Sequence, residues 1–128
     1  MEQGNRIGQL RGAALLIVVG ITAGAFGAHT LKDALDADRL EAFGTASRYA
    51  TMMGAAILAA VATGRSDGMP LVQTGTWLFS GSIFTLVLGG SAGWNWVGWI
   101  GPVTPLGGAL MIVGWLWWLV KLSAKGAN

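Results

Sequence analysis

GMPLVQTGTWLFSGSIFTLVLGGSAGWNWVGWIGPVTPLGGALMIVGWLWWLV, the run from Gly68 to Val120, contains no Asp, Glu, Lys, Arg or His. Average soluble domains carry charge on about a quarter of their residues, so such a run cannot supply a water-facing surface. The whole 128-residue chain is 11% charged and 53% hydrophobic. The run needs a nonaqueous solvent, and it is too long for a single crossing of a hydrocarbon core, which takes about 17 to 25 helical residues. Gly89-Gly-Ser-Ala-Gly93 and Gly101-Pro102 divide it, because glycine clusters and proline interrupt a helix. Two spans are predicted, at about 71–88 and 103–122. Pro70 and Pro105 open them, at positions where a missing N–H costs nothing, and Thr104 stands where it can cap the second.

Upstream, the uncharged window Gly12 to Ala28 is 17 residues long, with Arg11 and His29 able to snorkel at its ends. It predicts a retained first helix, at about 10–29, rather than a cleaved signal peptide. Tyr49 to Gly64, between Arg48 and Arg65, is a shorter window that the helical Ala37–Arg48 segment extends outward, giving a span at about 38–63. Asp38-Arg-Leu-Glu41 has the form of a capping box and marks its start. Leu31, Leu35, Leu40 and Phe43 could let the stretch between spans one and two dip into the headgroup zone as a short interfacial helical segment. The reading is an all-α integral membrane four-helix bundle, residues 1–128 forming a single transmembrane domain.

Orientation follows from Lys and Arg, which are retained in the cytoplasm. Arg6, Arg11, Arg65, Lys121 and Lys125 fall on the side of both termini and of the loop between spans two and three, against Lys32, Arg39 and Arg48 on the other. Both termini are expected inside. Indole rings favour the headgroup level. Trp94, Trp96 and Trp99 then form an outer belt and Trp115, Trp117 and Trp118 an inner one, leaving Trp77 as ordinary packing.

Small residues recur at helix-packing spacing: Gly20, Gly24 and Gly27 in span one, and Ala55/Ala59 with Ala56/Ala60 in span two. In lipid, close backbone approach through small residues supplies the packing that hydrophobic drive supplies in water. These faces are expected to meet within the bundle, with contacts between subunits as the other use. His29, the one histidine, is read as an interfacial hydrogen-bonding residue able to pair with Asp33 or Asp36, with ligation of a haem or pigment the sharper alternative. Asp33, Asp36, Asp38 and Glu41 alternate with Lys32 and Arg39 and read as a solvated segment rather than a cation site.

Polar residues inside the spans are hydroxyls, among them Thr22, Thr51, Thr74, Thr76, Ser80, Ser82 and Thr85. Ion-coupled transport usually needs an intramembrane carboxylate, His or Lys, and none is present in the charge-free windows of the spans. There is no HExxH, phosphate loop or Ser-His-Asp pattern, so no enzyme activity is expected. With no Cys, thiol chemistry and thiolate metal sites are excluded. No basic run suggests nucleic acid. No cofactor and no metal site are predicted.

Four motifs in order, Gly24-Ala-Phe-Gly-Ala-His29-Thr-Leu-Lys32, Phe43-Gly-Thr-Ala-Ser-Arg-Tyr49, Leu78-Phe-Ser-Gly-Ser82 and Thr104-Pro-Leu-Gly-Gly108 with Gly114-Trp115, resemble the domain-of-unknown-function 423 family, the YgdD-like proteins related to transmembrane protein 256. The family pattern has Gly after the His, where Thr30 stands here, and a second His four residues after the Tyr, where Met53 stands. The resemblance implies a small four-helix protein of the bacterial inner membrane, multi-pass, with no established reaction and with a membrane-stabilising role as a hint. The function expected is noncatalytic: membrane stabilisation by helix packing, or an accessory or scaffold subunit of a larger complex, with the lipid bilayer, other subunits or a homo-oligomer as partners. The alternative is a channel or carrier for a small neutral solute, lined by Thr22, Ser80, Ser82 and Thr85.

Overall fold

The computed structural model describes residues 2–126. Among them are four α-helices, α1 (Glu2–His29), α2 (Ala37–Ala62), α3 (Met69–Ser91) and α4 (Val103–Gly126), a short 3-10 helix at Asn95–Ile100, and no strand. α1 packs on α2, α2 on α3 and α3 on α4, with a light contact from α1 to α3, so α2 and α3 occupy the middle. α1, α3 and α4 are long and apolar enough to cross a membrane.

The outer surface is the clearest sign of the intended solvent. Val18, Ile21 and Phe26 of α1 and Leu106, Ile112 and Val120 of α4 are all more than half exposed. A continuous apolar coat of that kind is not tolerated in water. α2 falls short of the apolarity of the others because Asp38, Arg39, Glu41 and Arg48 crowd its first half. Its central place lowers what it must show to lipid: Phe43, Ala46, Ser47, Ala50, Gly54, Ile57, Ala60 and Val61 are all buried. Their steps of three and four residues keep them on one helical stripe.

Two apolar clusters fill the interior. Toward the end that holds both termini, Leu16, Ile57, Met69 and Val72 are fully buried, and Trp115 and Trp118 pack against them. Toward the other end Leu35, Phe43 and Val87 form a second cluster, with the Phe43 and Phe84 rings 5.0 Å apart.

The boundaries correct several sequence expectations. α1 begins at Glu2, eight residues before the predicted start at 10. α2 is capped by Asp36, whose side chain accepts from the Arg39 N–H at 2.9 Å, and not by Asp38. The reason is tertiary: Leu35 before the cap and Leu40 after it share the second cluster, the arrangement of a hydrophobic staple. Residues 30–36 run as turns, so the expected interfacial helix is absent, and Leu35 faces the core instead of the headgroups.

α3 continues through Gly89-Gly90 to Ser91 and stops at Gly93, which takes φ 81°. There the Trp94 N–H returns to the Gly89 carbonyl at 2.9 Å and the Gly93 N–H to that of Gly90 at 3.2 Å, a Schellman ending that glycine permits at low cost. Gly89 itself serves close approach, since a Cβ there would lie 2.9 Å from the Trp94 ring. Thr104 lies inside α4 rather than capping it.

Candidate functional site

Each seam between consecutive helices is crossed by a hydrogen bond from a side-chain hydroxyl. Ser47 of α2 donates to the Gly20 carbonyl of α1 at 2.6 Å. Ser80 of α3 donates to the Ala46 carbonyl of α2 at 2.8 Å. Ser82 of α3 and Thr104 of α4 share a hydrogen bond of 2.5 Å. Ser47, Ser80 and Ser82 are buried. In a bilayer such bonds contribute roughly 0.6–2 kcal/mol each, and an unpaired buried hydroxyl would cost more than the bond contributes. The three clasps fix the register of four helices that lipid alone would not hold together.

Glycine lets those seams close. A Cβ on Gly20 would stand 2.8 Å from the Ser47 carbonyl oxygen, and one on Gly24 would stand 2.9 Å from Ser47 Oγ. Gly27 faces the Phe43 ring. On α2 the matching residue is Gly54, whose Cβ would meet the Ala13 carbonyl at 2.6 Å. Ala55 and Ala59, expected in the bundle interior, are exposed, and Ala60 of the neighbouring pair is the buried one. Between α3 and α4 Gly75 lies against Gly107: a Cβ on either would lie 2.6 Å from the other's carbonyl oxygen. Gly114 meets Gly68 and Val72 in the same way.

The tryptophans divide by helical face. Trp94, Trp96 and Trp99 are exposed on the hairpin between α3 and α4, the first two stacked with ring centroids 5.7 Å apart. Trp117 is half exposed. Trp115 and Trp118 turn inward: Trp115 Nε1 donates to Met53 Sδ at 3.4 Å and Trp118 Nε1 to the Arg65 carbonyl at 3.2 Å. Trp77, read as packing, is 37% exposed. Met53 thus receives an indole N–H.

His29 ends α1 and is exposed. Asp36 is engaged by Arg39 through the cap and a 3.8 Å ion pair, and neither it nor Asp33 pairs with His29 among the described residues. No three His, Cys, Asp or Glu among those residues gather to hold a metal. The hydroxyls proposed to line a solute path do not converge: Thr22 is exposed on the outside of α1, Thr85 returns to the Gly81 carbonyl of its own helix, and Ser80 and Ser82 are consumed in the clasps.

A family model described as "Protein of unknown function (DUF423)" matches residues 23–108. The chain belongs to the DUF423 family. The match runs from the last turns of α1 to the first of α4, so the Ser47, Ser80, Ser82 and Thr104 hydroxyls all lie inside the DUF423 segment, while Gly20 precedes it and Trp115 follows it.

The named relatives are membrane proteins. A UPF0382 membrane protein of Schizosaccharomyces pombe is 36% identical, over 84% of this chain and 95% of its own length. One from Staphylococcus saprophyticus is 34% identical, over 80% and 86%. The UPF0382 inner membrane protein YgdD of Escherichia coli K12 is 32% identical, over 91% and 92%. No solved structure matches. This DUF423 chain is therefore a helical membrane protein, and the resemblance carried by its four motifs is the family found.

Proposed function

We propose that the chain is a noncatalytic, four-pass protein that acts through its helix surfaces, stabilising the membrane around it or serving as an accessory subunit of a larger membrane complex. The observation that carries the reading is the chemistry of the interior: among the described residues, the buried polar ones, Ser47, Thr76, Ser80 and Ser82, are all hydroxyls, each bonded within the bundle. Nucleophilic, acid–base and ion-coupling work needs activated or ionisable groups in a cleft, and this interior offers closed seams.

In this reading α2 crosses the membrane with the others despite its charged first half, and both termini lie in the cytoplasm. The Lys and Arg distribution supports that orientation, as does the bond from Trp118 Nε1 near the end of α4 to the α2–α3 turn, which brings the two basic ends together. A bacterial inner membrane is the proposed location, supported by the name of the Escherichia coli relative.

The test is to isolate the chain from its native membrane in a gentle detergent and record its native mass spectrum, alongside growth of a deletion strain under membrane stress. A defined oligomer, a stoichiometric partner or a stress phenotype is expected. A monomer without partner, from a strain that grows normally, overturns the proposal.

A further inference from the structure

Arg48 counts by sequence among the charges of one end of the bundle, yet it stands at mid-height. Its neighbour Ser47 bonds to Gly20, the middle residue of the charge-free stretch Gly12 to Ala28 of α1. On the other flank Ala46 accepts from Ser80, the middle residue of α3, and the Tyr49 ring lies against that of Phe79. Two helices thus give the same level. The buried stripe of α2 runs through Ser47, Ala50 and Gly54, so Arg48 faces away from the bundle and is exposed.

Its side chain folds back toward the start of α2. Nη2 donates to Thr45 Oγ1 at 3.1 Å, and Nη1 lies 3.4 Å from where a Cβ on Gly44 would stand. That is one turn, a rise of about 5 Å. The charge-free stretch of α1 continues from Gly20 to Ala28, about 12 Å, so the guanidinium stops short of headgroup level despite its snorkelling.

The guanidinium brings five N–H donors to that depth, and Thr45 takes one. Among the described residues the ion pairs are Arg39 with Asp36 and Arg65 with Asp67, and Arg48 has no carboxylate partner. Glu41, on the same face, is two turns and about 10 Å nearer the start of α2. Glu2 opens α1, about 27 Å along the helix from Gly20. A charge so deep in lipid is expensive, and such residues are almost always paired.

The surface beside Arg48 has room for a helix. Met52, Ala55 and Ala59 follow it at steps of four, three and four residues, one helical stripe, and all are exposed. Alanine at that spacing admits a second helix closely, and methionine adapts to what it meets. A guanidinium holds a carboxylate through two parallel N–H bonds. A second copy of the chain does not supply that carboxylate, because across a two-fold axis the same stripe sets Arg48 near Arg48.

Resting on the four-pass, accessory-subunit reading, we propose that this stripe of α2 docks a membrane helix of another protein that carries an Asp or Glu at the middle of its span, paired with Arg48.

Photoreactive benzoylphenylalanine in place of Met52 in the full-length chain, activated in the native membrane, tests this. One partner protein is expected, cross-linked through a membrane helix with a central carboxylate. Arg48→Leu should lower the cross-linked yield about tenfold, the size of one intramembrane polar contact. Arg48→Asp combined with an Arg in place of the partner's carboxylate should restore it, and Lys121→Gln should leave it unchanged. Arg48 is exposed, so its removal leaves the packing intact, and thermal melting followed by circular dichroism verifies this. Equal yield from the parent and Arg48→Leu overturns the proposal, as does cross-linking only to lipid, to a second copy or to a helix without a carboxylate. A partner retained in the native mass spectrum yet not cross-linked from position 52 overturns this surface and leaves the accessory-subunit reading standing. No partner by either method overturns both.

Discussion

Ser47 of α2 reaches the Gly20 carbonyl of α1 at 2.6 Å because Gly20 carries no Cβ to hold the two backbones apart. The donor and the gap that admits it are two halves of one contact. Ser47→Ala keeps the small volume and removes the bond. The expected loss is about 1 kcal/mol of bundle stability, read as a lower unfolding midpoint in a detergent denaturation series. Gly20→Ala should cost more, about 1–3 kcal/mol, because the added methyl meets backbone atoms that cannot swing away.

Gly107 and Gly108 are neighbours in sequence with opposite expected tolerance. A Cβ on Gly107 would stand 2.6 Å from the Gly75 carbonyl oxygen, whereas one on Gly108 has the Phe79 ring as its nearest neighbour at 3.8 Å. Gly107→Ala should therefore destabilise the α3–α4 pair by about 1–3 kcal/mol. Gly108→Ala should be neutral or stabilising by up to about 1 kcal/mol, since alanine favours the helix. The same denaturation series compares the two.

The cap of α2 gives a third expectation. Asp36→Ala removes the acceptor for the Arg39 N–H and should cost about 1 kcal/mol. Faster amide exchange at residues 37–40 should accompany it. Asp38→Ala should leave both stability and exchange near the parent values.

Much of this architecture is legible in the sequence, and what is not has identifiable causes. The charge-free windows and the glycine and proline breaks locate the four helices, three of which are long and apolar enough to cross a membrane. Which face of α2 turns inward is not legible from small residues alone. Ala55/Ala59 and Ala56/Ala60 have the same spacing one residue apart, and only the buried stripe through Phe43, Ala50, Gly54, Ile57 and Val61 separates them.

The tryptophan trio held a clue in its spacing: Trp115 and Trp118, three apart, share a helical face, and Trp117 lies away from it. Asp36 lost to Asp38 in the sequence because the capping box is local, while the Leu35 and Leu40 contact that selects Asp36 involves Phe43 and Val87 from distant turns. The interhelical clasps were legible only as a list of hydroxyls. Ser47 and Ser82 look no different in sequence from Thr22, which faces outward.

Everything proposed for the seams requires that α2, the least apolar helix, crosses the membrane with the other three. The chain has no cysteine, so single substitutions can be labelled without background. Asp33→Cys, Ser66→Cys, Asn95→Cys and Ala124→Cys place one thiol at each successive exposed site along the chain. In intact cells a membrane-impermeant maleimide should label positions 33 and 95 from outside, and positions 66 and 124 only after the membrane is opened. Labelling of 33 and 66 from the same side would contradict the account, because α2 would then not cross.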